Sequence, residues 1–215
     1  MLYHLIRIIV KLGTEILCRI DAQGIDAIPQ RGPLIVITNH TGQLEVPVFF
    51  GQLATRPITG WAKVESWDNA FLRWLFNLWG LIPVRRGEAD TSALRKAMKA
   101  LEDGYFFGIA PEGTRNKTGR LKRAHPGAVM LPMAHWGGEN FLRNLPRLRR
   151  TDFHIRVGKP FKLELEGVKM TREVRQQIAD EMMLRIAELM PLEYRGEYEK
   201  VTPPEKPFTK VVEWS

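Results

Sequence analysis

The sequence has little cysteine and no long uncharged apolar segment, and both shortages exclude whole classes of protein. Cys18 is the single cysteine among 215 residues, so an intrachain disulfide and a cysteine-ligated metal cluster are excluded. Because it stands in an apolar run, we expect Cys18 to be a buried thiol rather than a nucleophile. No convincing signal peptide, internal repeat or low-complexity tract is present. With 44% hydrophobic and 26% charged residues, the chain has the composition of one medium-sized folded domain.

The N-terminal segment is apolar but carries a charge at every fourth position. These charges share one stripe of a helix predicted over Leu2 to Ile20: Arg7, Lys11, Glu15 and Arg19. A membrane-spanning helix needs about 20 mostly uncharged apolar residues, so we exclude transmembrane insertion. The pattern fits equally well an amphipathic helix lying in the membrane interface and one packed on its own domain.

Positive charge is concentrated in the middle of the chain. The formal net charge is +8, and residues 113–163 carry twelve Lys or Arg against two Asp or Glu. Such a field favours anionic partners, namely phosphorylated metabolites, anionic lipid surfaces or nucleic acid, although a solvated basic face is the simpler alternative. No nucleic-acid recognition motif accompanies the charge, so nucleic acid is not expected as a partner.

Short apolar runs alternate with amphipathic segments, which is typical of an α/β fold. We predict a single domain with a mainly parallel or mixed sheet flanked by helices. Strands are predicted over Pro33–Thr38, Pro57–Lys63, Tyr105–Ala110 and Phe153–Val157, and helices over Gly42–Leu53, Thr91–Asp103 and Thr171–Met190, with Thr91 and Thr171 as caps. The chain from Pro191 onward is expected to wrap the surface or to be partly disordered.

Two polar segments follow predicted strands, at the position where α/β sheets place their ligands. His40 follows the first, with Glu45 five residues later, and a neutral imidazole beside a carboxylate can remove a proton at physiological pH. Pro111 to Arg115 follows another strand and supplies a carboxylate, a hydroxyl and a guanidinium. Arg85 and Arg86 lie at a third strand end, where guanidiniums suit phosphate. The other four histidines, His135 among them, are expected to be structural.

With these segments the chain resembles the glycerolipid acyltransferase family, which includes the 1-acylglycerol-3-phosphate acyltransferases. That family is marked by Asn-His followed by an acidic residue, by Gly…Arg, by Pro-Glu-Gly-Thr-Arg and by a late Pro-centred strand. The likeness covers about residues 20 to 198 and includes a closing Pro191…Tyr194-Arg195-Gly196 pattern. The matching motifs are Asn39-His40…Glu45, Gly80…Arg86, Pro111-Glu112-Gly113-Thr114-Arg115 and Met130-Leu131-Pro132-Met133.

The resemblance implies transfer of an acyl group from acyl-CoA or acyl carrier protein to a hydroxyl of a glycerophospholipid precursor. The first choice of acceptor is 1-acylglycerol-3-phosphate, which would become phosphatidate. His40 would be the general base and Glu45 would orient it. The resemblance implies no cofactor and no metal, because the thioester donor is a co-substrate. Its acceptor site would comprise Arg86, Arg115 and Lys122, which hold the phosphate, and Glu112, Gly113 and Thr114, which shape the turn.

Two departures from the family pattern keep alternatives open. Glu45 stands where Asp is usual, and some lipid-A-type acyltransferases carry Glu there, so a lysophospholipid, glycolipid or lipid-A-like acceptor is an alternative. Only four residues separate Gly127 from Pro132, where relatives usually have an additional helix. A catalytically impaired lipid-binding homologue is therefore the other alternative.

The predicted organisation is an N-terminal amphipathic helix over residues 1–20, an acyltransferase domain over 21–198 and an extended tail over 199–215. The expected partners are the lipid acceptor, the thioester donor (acyl carrier protein included) and an anionic membrane surface. The expected location is peripheral or monotopic on the cytoplasmic side of the cell membrane. The aromatic stretch from Phe71 to Val84 is predicted as a core helix and a strand; alternatively its tryptophans line an acyl groove or contact the membrane interface.

Overall fold

A computed structural model describes residues 2–40, 44–53, 56–85, 90–110 and 129–213. The helices are α1 (Leu2–Leu17), α2 (Glu45–Gln52), α3 (Ala70–Leu78), α4 (Thr91–Glu102), α5 (Phe141–Asn144) and α6 (Arg172–Ala187). The strands are β1 (Cys18–Gln23), β2 (Leu34–Thr38), β3 (Ile58–Lys63), β4 (Ile82–Val84), β5 (Phe106–Ile109), β6 (Val129–Trp136), β7 (Thr151–Val157), β8 (Phe161–Leu163) and β9 (Thr209–Val211).

These strands form one mixed sheet in the order β1-β7-β6-β2-β5-β3-β4, with β8 pairing β6 and β9 pairing β8. The five strands β6, β2, β5, β3 and β4 run parallel to their neighbours within this group, and β7 runs antiparallel to β6. The five parallel strands therefore end at the same edge of the sheet. This architecture confirms the predicted α/β class.

The centre of the sheet is buried on both faces, as expected for parallel strands covered by helices. On one face Ile35 and Ile37 of β2 belong to a core that also includes residues of α4 and α6. On the other face Leu34 and Val36 share a second core with residues of α2. This alternation along β2 follows from the period of two of a strand, and it fixes which face each side chain packs on.

The N-terminal helix ends at Leu17, three residues earlier than predicted. Residues Cys18 to Gln23 form β1 because they pair in parallel with β7, Cys18 lying opposite Thr151. The strand ladder satisfies the backbone groups that a longer helix would have used. Cys18 is fully buried, as expected, and burial raises the pKa of its thiol.

The aromatic stretch gives a mixed result. Strand β4 forms where a strand was expected, but every residue of α3 is at least partly exposed, so the prediction of a core helix is wrong. Phe71 and Trp74 are 64% and 48% exposed, whereas Trp79, just beyond the helix, is buried and packs on Phe50 with their ring centroids 4.7 Å apart. Helical periodicity located α3, but whether a partner covers its apolar face is a tertiary property.

Helix α4 is capped by Asp90 rather than by the predicted Thr91. The Asp90 carboxylate accepts hydrogen bonds from the backbone N–H of Ala93 at 2.9 Å and of Arg85 at 3.1 Å. These bonds lower the pKa of Asp90. Thr171 caps α6 as predicted, its hydroxyl accepting from the N–H of Val174.

The C-terminal tail returns to the sheet instead of only wrapping the surface. Strand β9 pairs with β8, and the carboxylate of buried Glu181 in α6 accepts from the N–H groups of Phe208 and Thr209 at 3.0 and 2.8 Å. The expectation of partial disorder is therefore wrong for this part of the tail. The composition of the tail does not indicate that its backbone is bound by Glu181, 28 residues before Thr209.

Candidate active site

The structure describes two of the eight predicted site residues, His40 and Glu45. The other six lie outside the described residues: Arg86, Glu112, Gly113, Thr114, Arg115 and Lys122. The shortened connection before Pro132 also falls mainly outside them, because β6 is described from Val129 onward. The roles given to these side chains remain predictions.

His40 and Glu45 come together where β2 gives way to α2. β2 ends at Thr38, and Glu45 is the first residue of α2. The His40 ring nitrogen Nδ1 is hydrogen-bonded to Glu45 Oε1. The imidazole is 45% exposed, whereas the carboxylate is 5% exposed. A carboxylate bonded at Nδ1 keeps the proton on that atom, so the basic lone pair of a neutral His40 is on Nε2.

Behind this pair, Asn39 and His135 join β2 to β6 by three hydrogen bonds. The Asn39 side-chain amide donates to the carbonyl of His135 at 2.8 Å, and its Oδ1 accepts from the backbone N–H of His135 at 3.0 Å. The ring N–H at Nε2 of His135 donates to the carbonyl of Asn39 at 2.7 Å. Both residues are buried. These bonds continue the β2–β6 pairing beyond Thr38 and hold the backbone that carries His40.

His135 also lies near the buried Glu45 carboxylate. Its Nε2 lies 4.0 Å from Glu45 Oε2, and its ring stacks on Phe153 with centroids 5.5 Å apart. Burial lowers the pKa of His135 and outweighs the negative charge of Glu45, which acts in the opposite direction. His135 is therefore neutral and adds no positive charge beside the Glu45 carboxylate.

The sequence predicts a structural role for His135 and indicates no separate role for Asn39. The signal that could have found them was positional. Asn39 directly precedes His40, and His135 lies three residues after Pro132, on a strand that runs beside β2. Two polar residues at adjacent parallel strand ends are placed to bond each other.

The sheet order brings the beginnings of the other predicted segments to the same edge as His40. Strand β5 pairs in parallel with β2, and Ala110, just after it, precedes Pro111 in the sequence. Strand β4 ends at Val84, before Arg85 and Arg86, and lies three strand positions from β2, roughly 14 Å at the usual strand spacing. The topology is therefore compatible with one site built on several strand ends.

Within the described ranges, no group of three or more His, Cys, Asp or Glu side chains is arranged to hold a metal ion. No helix in the same ranges is long and apolar enough to cross a membrane.

Comparison with known proteins finds relatives that are all named as acyltransferases. The chain is 27% identical over 180 residues to a 1-acyl-sn-glycerol-3-phosphate acyltransferase of Borreliella burgdorferi, covering 76% of this chain and 72% of the relative. It is 24% identical over 113 residues to the chloroplastic LPAT1 acyltransferase of Arabidopsis thaliana, covering 51% of this chain and about a third (31%) of that longer protein.

The fold also has a solved counterpart. The crystal structure of the 1-acyl-sn-glycerophosphate acyltransferase PlsC from Thermotoga maritima superimposes with a TM-score of 0.57, covering 87% of this chain and 79% of that one at 21% identity. Finally, the model of the Acyltransferase family matches residues 19–140, more than half of the sequence and a span that contains His40 and Glu45. The chain belongs to the Acyltransferase family, as its motifs predicted.

Proposed function

We propose that this acyltransferase transfers an acyl group from acyl-CoA or acyl carrier protein to the free hydroxyl of 1-acylglycerol-3-phosphate, forming phosphatidate. The observation that carries the proposal is the contact between the exposed His40 imidazole and the buried Glu45 carboxylate, at the edge of the sheet where parallel strands end. Both the Borreliella burgdorferi and the Arabidopsis thaliana relatives are named as 1-acyl-sn-glycerol-3-phosphate acyltransferases, which agrees with this acceptor.

In this reaction His40 is the general base. Its Nε2 takes the proton of the acceptor hydroxyl while the hydroxyl oxygen attacks the thioester carbonyl carbon. The resulting tetrahedral intermediate collapses as the carbon–sulfur bond breaks, and the proton on Nε2 passes to the departing thiolate. Glu45 holds the ring by its Nδ1–H and stabilises the imidazolium formed in between. No covalent acyl-enzyme intermediate is needed.

The acceptor is held by groups outside the described residues. We assign Arg86, Arg115 and Lys122 to the acceptor phosphate, because guanidinium and ammonium groups recognise phosphate oxygens. We assign Glu112, Gly113 and Thr114 to the acceptor site as well, and the oxyanion to backbone N–H groups near the strand ends. The position of Ala110 beside the end of β2 supports this arrangement.

The enzyme works at a membrane surface, peripherally and on the cytoplasmic side. Helix α1 packs on α2 so closely that a Cβ at Gly51 would lie 3.1 Å from Lys11 Cα, and Glu15 accepts a hydrogen bond from Gln52. The stripe pointing away from α2 is apolar and 50–71% exposed: Leu5, Ile8, Ile9, Leu12 and Ile16. This arrangement combines the two alternatives left by the sequence, since α1 packs on its own domain and still offers an apolar face to lipid.

The direct test is product formation. Purified protein is incubated with 1-acylglycerol-3-phosphate and either acyl-CoA or acyl carrier protein thioesters of several chain lengths, and phosphatidate is measured by mass spectrometry. Phosphatidate formation with one donor class is expected. Transfer only to a lysophospholipid or a glycolipid would replace the proposed acceptor, and vesicle binding without any transfer would identify a lipid-binding protein instead.

A further inference from the structure

The segment between β6 and β7 exposes large apolar side chains that the fold does not use. The segment is defined here as residues 141–150 and consists of α5 followed by a turn of 3₁₀ helix over Leu145–Arg147. Three leucines recur at every third position, and Leu142 and Leu148 are 71% and 94% exposed. Single exposed leucines are ordinary, but a regular set of three on a short connection calls for an explanation.

Leu148 is also held in an uncommon backbone conformation. Its φ of 52° lies in the left-handed region, and it is the one residue other than glycine in the described ranges with a positive φ. The turn is fixed by hydrogen bonds from Leu148 N–H to Leu145 O at 3.1 Å and from Arg149 N–H to Asn144 O at 3.2 Å. The chain therefore accepts backbone strain while directing a leucine into solvent.

The same segment is strongly cationic. It contains Arg143, Arg147, Arg149 and Arg150, and the sequence from residue 141 to 151 has no Asp or Glu. All four are exposed, and Arg147 donates to the carbonyl of Arg143. Alternating arginine and leucine on one exposed connection suits a surface that offers negative charge above an apolar layer.

Arg150 connects this segment to the end of α1. Its guanidinium donates to the carbonyls of Glu15 and Cys18, both at 2.6 Å, and so supplies positive charge to the C-terminal end of the helix. Arg19 and Asp152 form an ion pair beside it at 3.5 Å. The arginine–leucine segment therefore adjoins the end of the exposed apolar stripe of α1, which finishes at Ile16.

The segment also lies on the His40 side of the sheet. It begins after β6, which runs parallel to β2, so it leaves the sheet at the edge where β2 leads into His40. A surface docked through this segment would meet the edge that carries the candidate active site.

We propose that residues 141–150 and the apolar stripe of α1 form one docking surface for an anionic phospholipid bilayer. This inference rests on the proposed function, since it says where a lipid-transforming enzyme meets its substrate. The 16 residues of α1 extend about 24 Å along the bilayer plane. The leucines insert among acyl chains, and the arginines bind headgroup phosphates. The charge and the continuity with α1 favour a bilayer over an acidic protein.

The test is sedimentation of the full chain with vesicles of phosphatidylcholine, alone or with one quarter phosphatidylglycerol. Replacing Arg143, Arg147 and Arg149 by Gln is expected to lower the partition coefficient about a hundredfold on anionic vesicles at low salt, and far less on neutral ones. The matched control replaces three exposed cations of α4 and α6, on the opposite face of the sheet, and should change nothing: Arg95→Gln, Lys96→Gln and Arg172→Gln.

The leucines are tested separately with Leu142→Gln and Leu148→Asn, Asn being tolerated in the left-handed region. Binding to both vesicle types should fall at least tenfold, whereas Leu192→Gln, another exposed leucine, should leave it intact. Thermal melting checks that each variant is folded. If a leucine variant is destabilised, the vesicle binding of the triple arginine variant tests the docking surface instead.

Three outcomes distinguish this inference from the proposed function. Unchanged vesicle binding in the arginine and leucine variants overturns the docking surface. Unchanged vesicle binding with a raised KM for acyl carrier protein, but not for acyl-CoA, overturns it in favour of a protein partner. Loss of binding in those variants while the unmodified chain transfers no acyl group, even to a short-chain monodisperse acceptor, supports the docking surface and contradicts the proposed function.

Discussion

Replacing Glu45 by Gln removes the charge behind His40 while leaving the shape of the site. The amide oxygen still accepts the Nδ1–H of His40, so the tautomer and ring position are kept. The lost attraction applies only when His40 is protonated, which in the proposed mechanism happens during the reaction. Glu45→Gln should therefore lower kcat with little change in KM for either substrate.

The size of the effect follows from the exposure of the two groups. Unit charges about 2.8 Å apart attract by roughly 6 kcal/mol at an effective dielectric constant of 20 and by about 1.5 kcal/mol in bulk water. His40 is 45% exposed and Glu45 only 5%, so the pair lies between these limits. A loss of about 3 kcal/mol corresponds to a fall in kcat of roughly 150-fold.

The assay is the initial rate of phosphatidate formation at saturating donor and acceptor. Asp21→Asn is the matched control, because Asp21 also pairs with a histidine, His154, at 3.2 Å on the outer strands β1 and β7. The control should keep full activity. A kcat for Glu45→Gln within threefold of the unmodified enzyme would refute the electrostatic role of Glu45.

Further predictions concern the scaffold, at the positions of His135, Arg56 and Glu181. His135→Gln keeps a donor near the position of Nε2 and His135→Leu does not, so the leucine variant should lose roughly 2 kcal/mol more stability in urea unfolding. Because burial lowers the pKa of His135, below about pH 6.5 the unfolded chain binds a proton that the folded chain does not. Acidification should therefore destabilise the unmodified protein by up to about 1.4 kcal/mol per pH unit more than His135→Gln, and equal slopes would contradict neutrality of the buried ring. Arg56→Met should cost roughly 3 kcal/mol in urea unfolding, since the buried guanidinium donates to the carbonyls of Pro29, Gly32 and Gly104; a cost below 0.5 kcal/mol, about the range of an ordinary surface substitution, would rule this out. Glu181→Gln should speed hydrogen exchange at the Phe208 and Thr209 amides at least tenfold, and unchanged protection would mean that pairing with β8 alone holds the tail.

Sequence periodicity predicted the α/β class and the main helices and strands because those features depend on neighbours along the chain. The pairing of His40 with Glu45 was predictable for the same reason, since the two residues flank one strand-to-helix turn. The cap at Asp90 was missed by one residue because Asp and Thr are both good N-cap residues, and only the additional bond to Arg85 distinguishes them.

The missed features depend on partners far away in the sequence. Asn39 and His135 are 96 residues apart, and their pairing follows only once β2 and β6 are known to be neighbours in the sheet. Arg56 donates to backbone carbonyls 24 to 48 residues away. From the sequence alone, a single arginine between two apolar segments would be predicted to lie on the surface. Cys18 became part of a strand only because β7 is available to pair with it.

The most direct test of the central claim is the kcat of His40→Ala for phosphatidate formation, measured beside His154→Ala as a histidine outside the candidate site. If His40 is the base, its replacement should lower kcat by a factor of about a hundred to ten thousand, while His154→Ala stays near the unmodified rate. Full activity of His40→Ala would contradict the account.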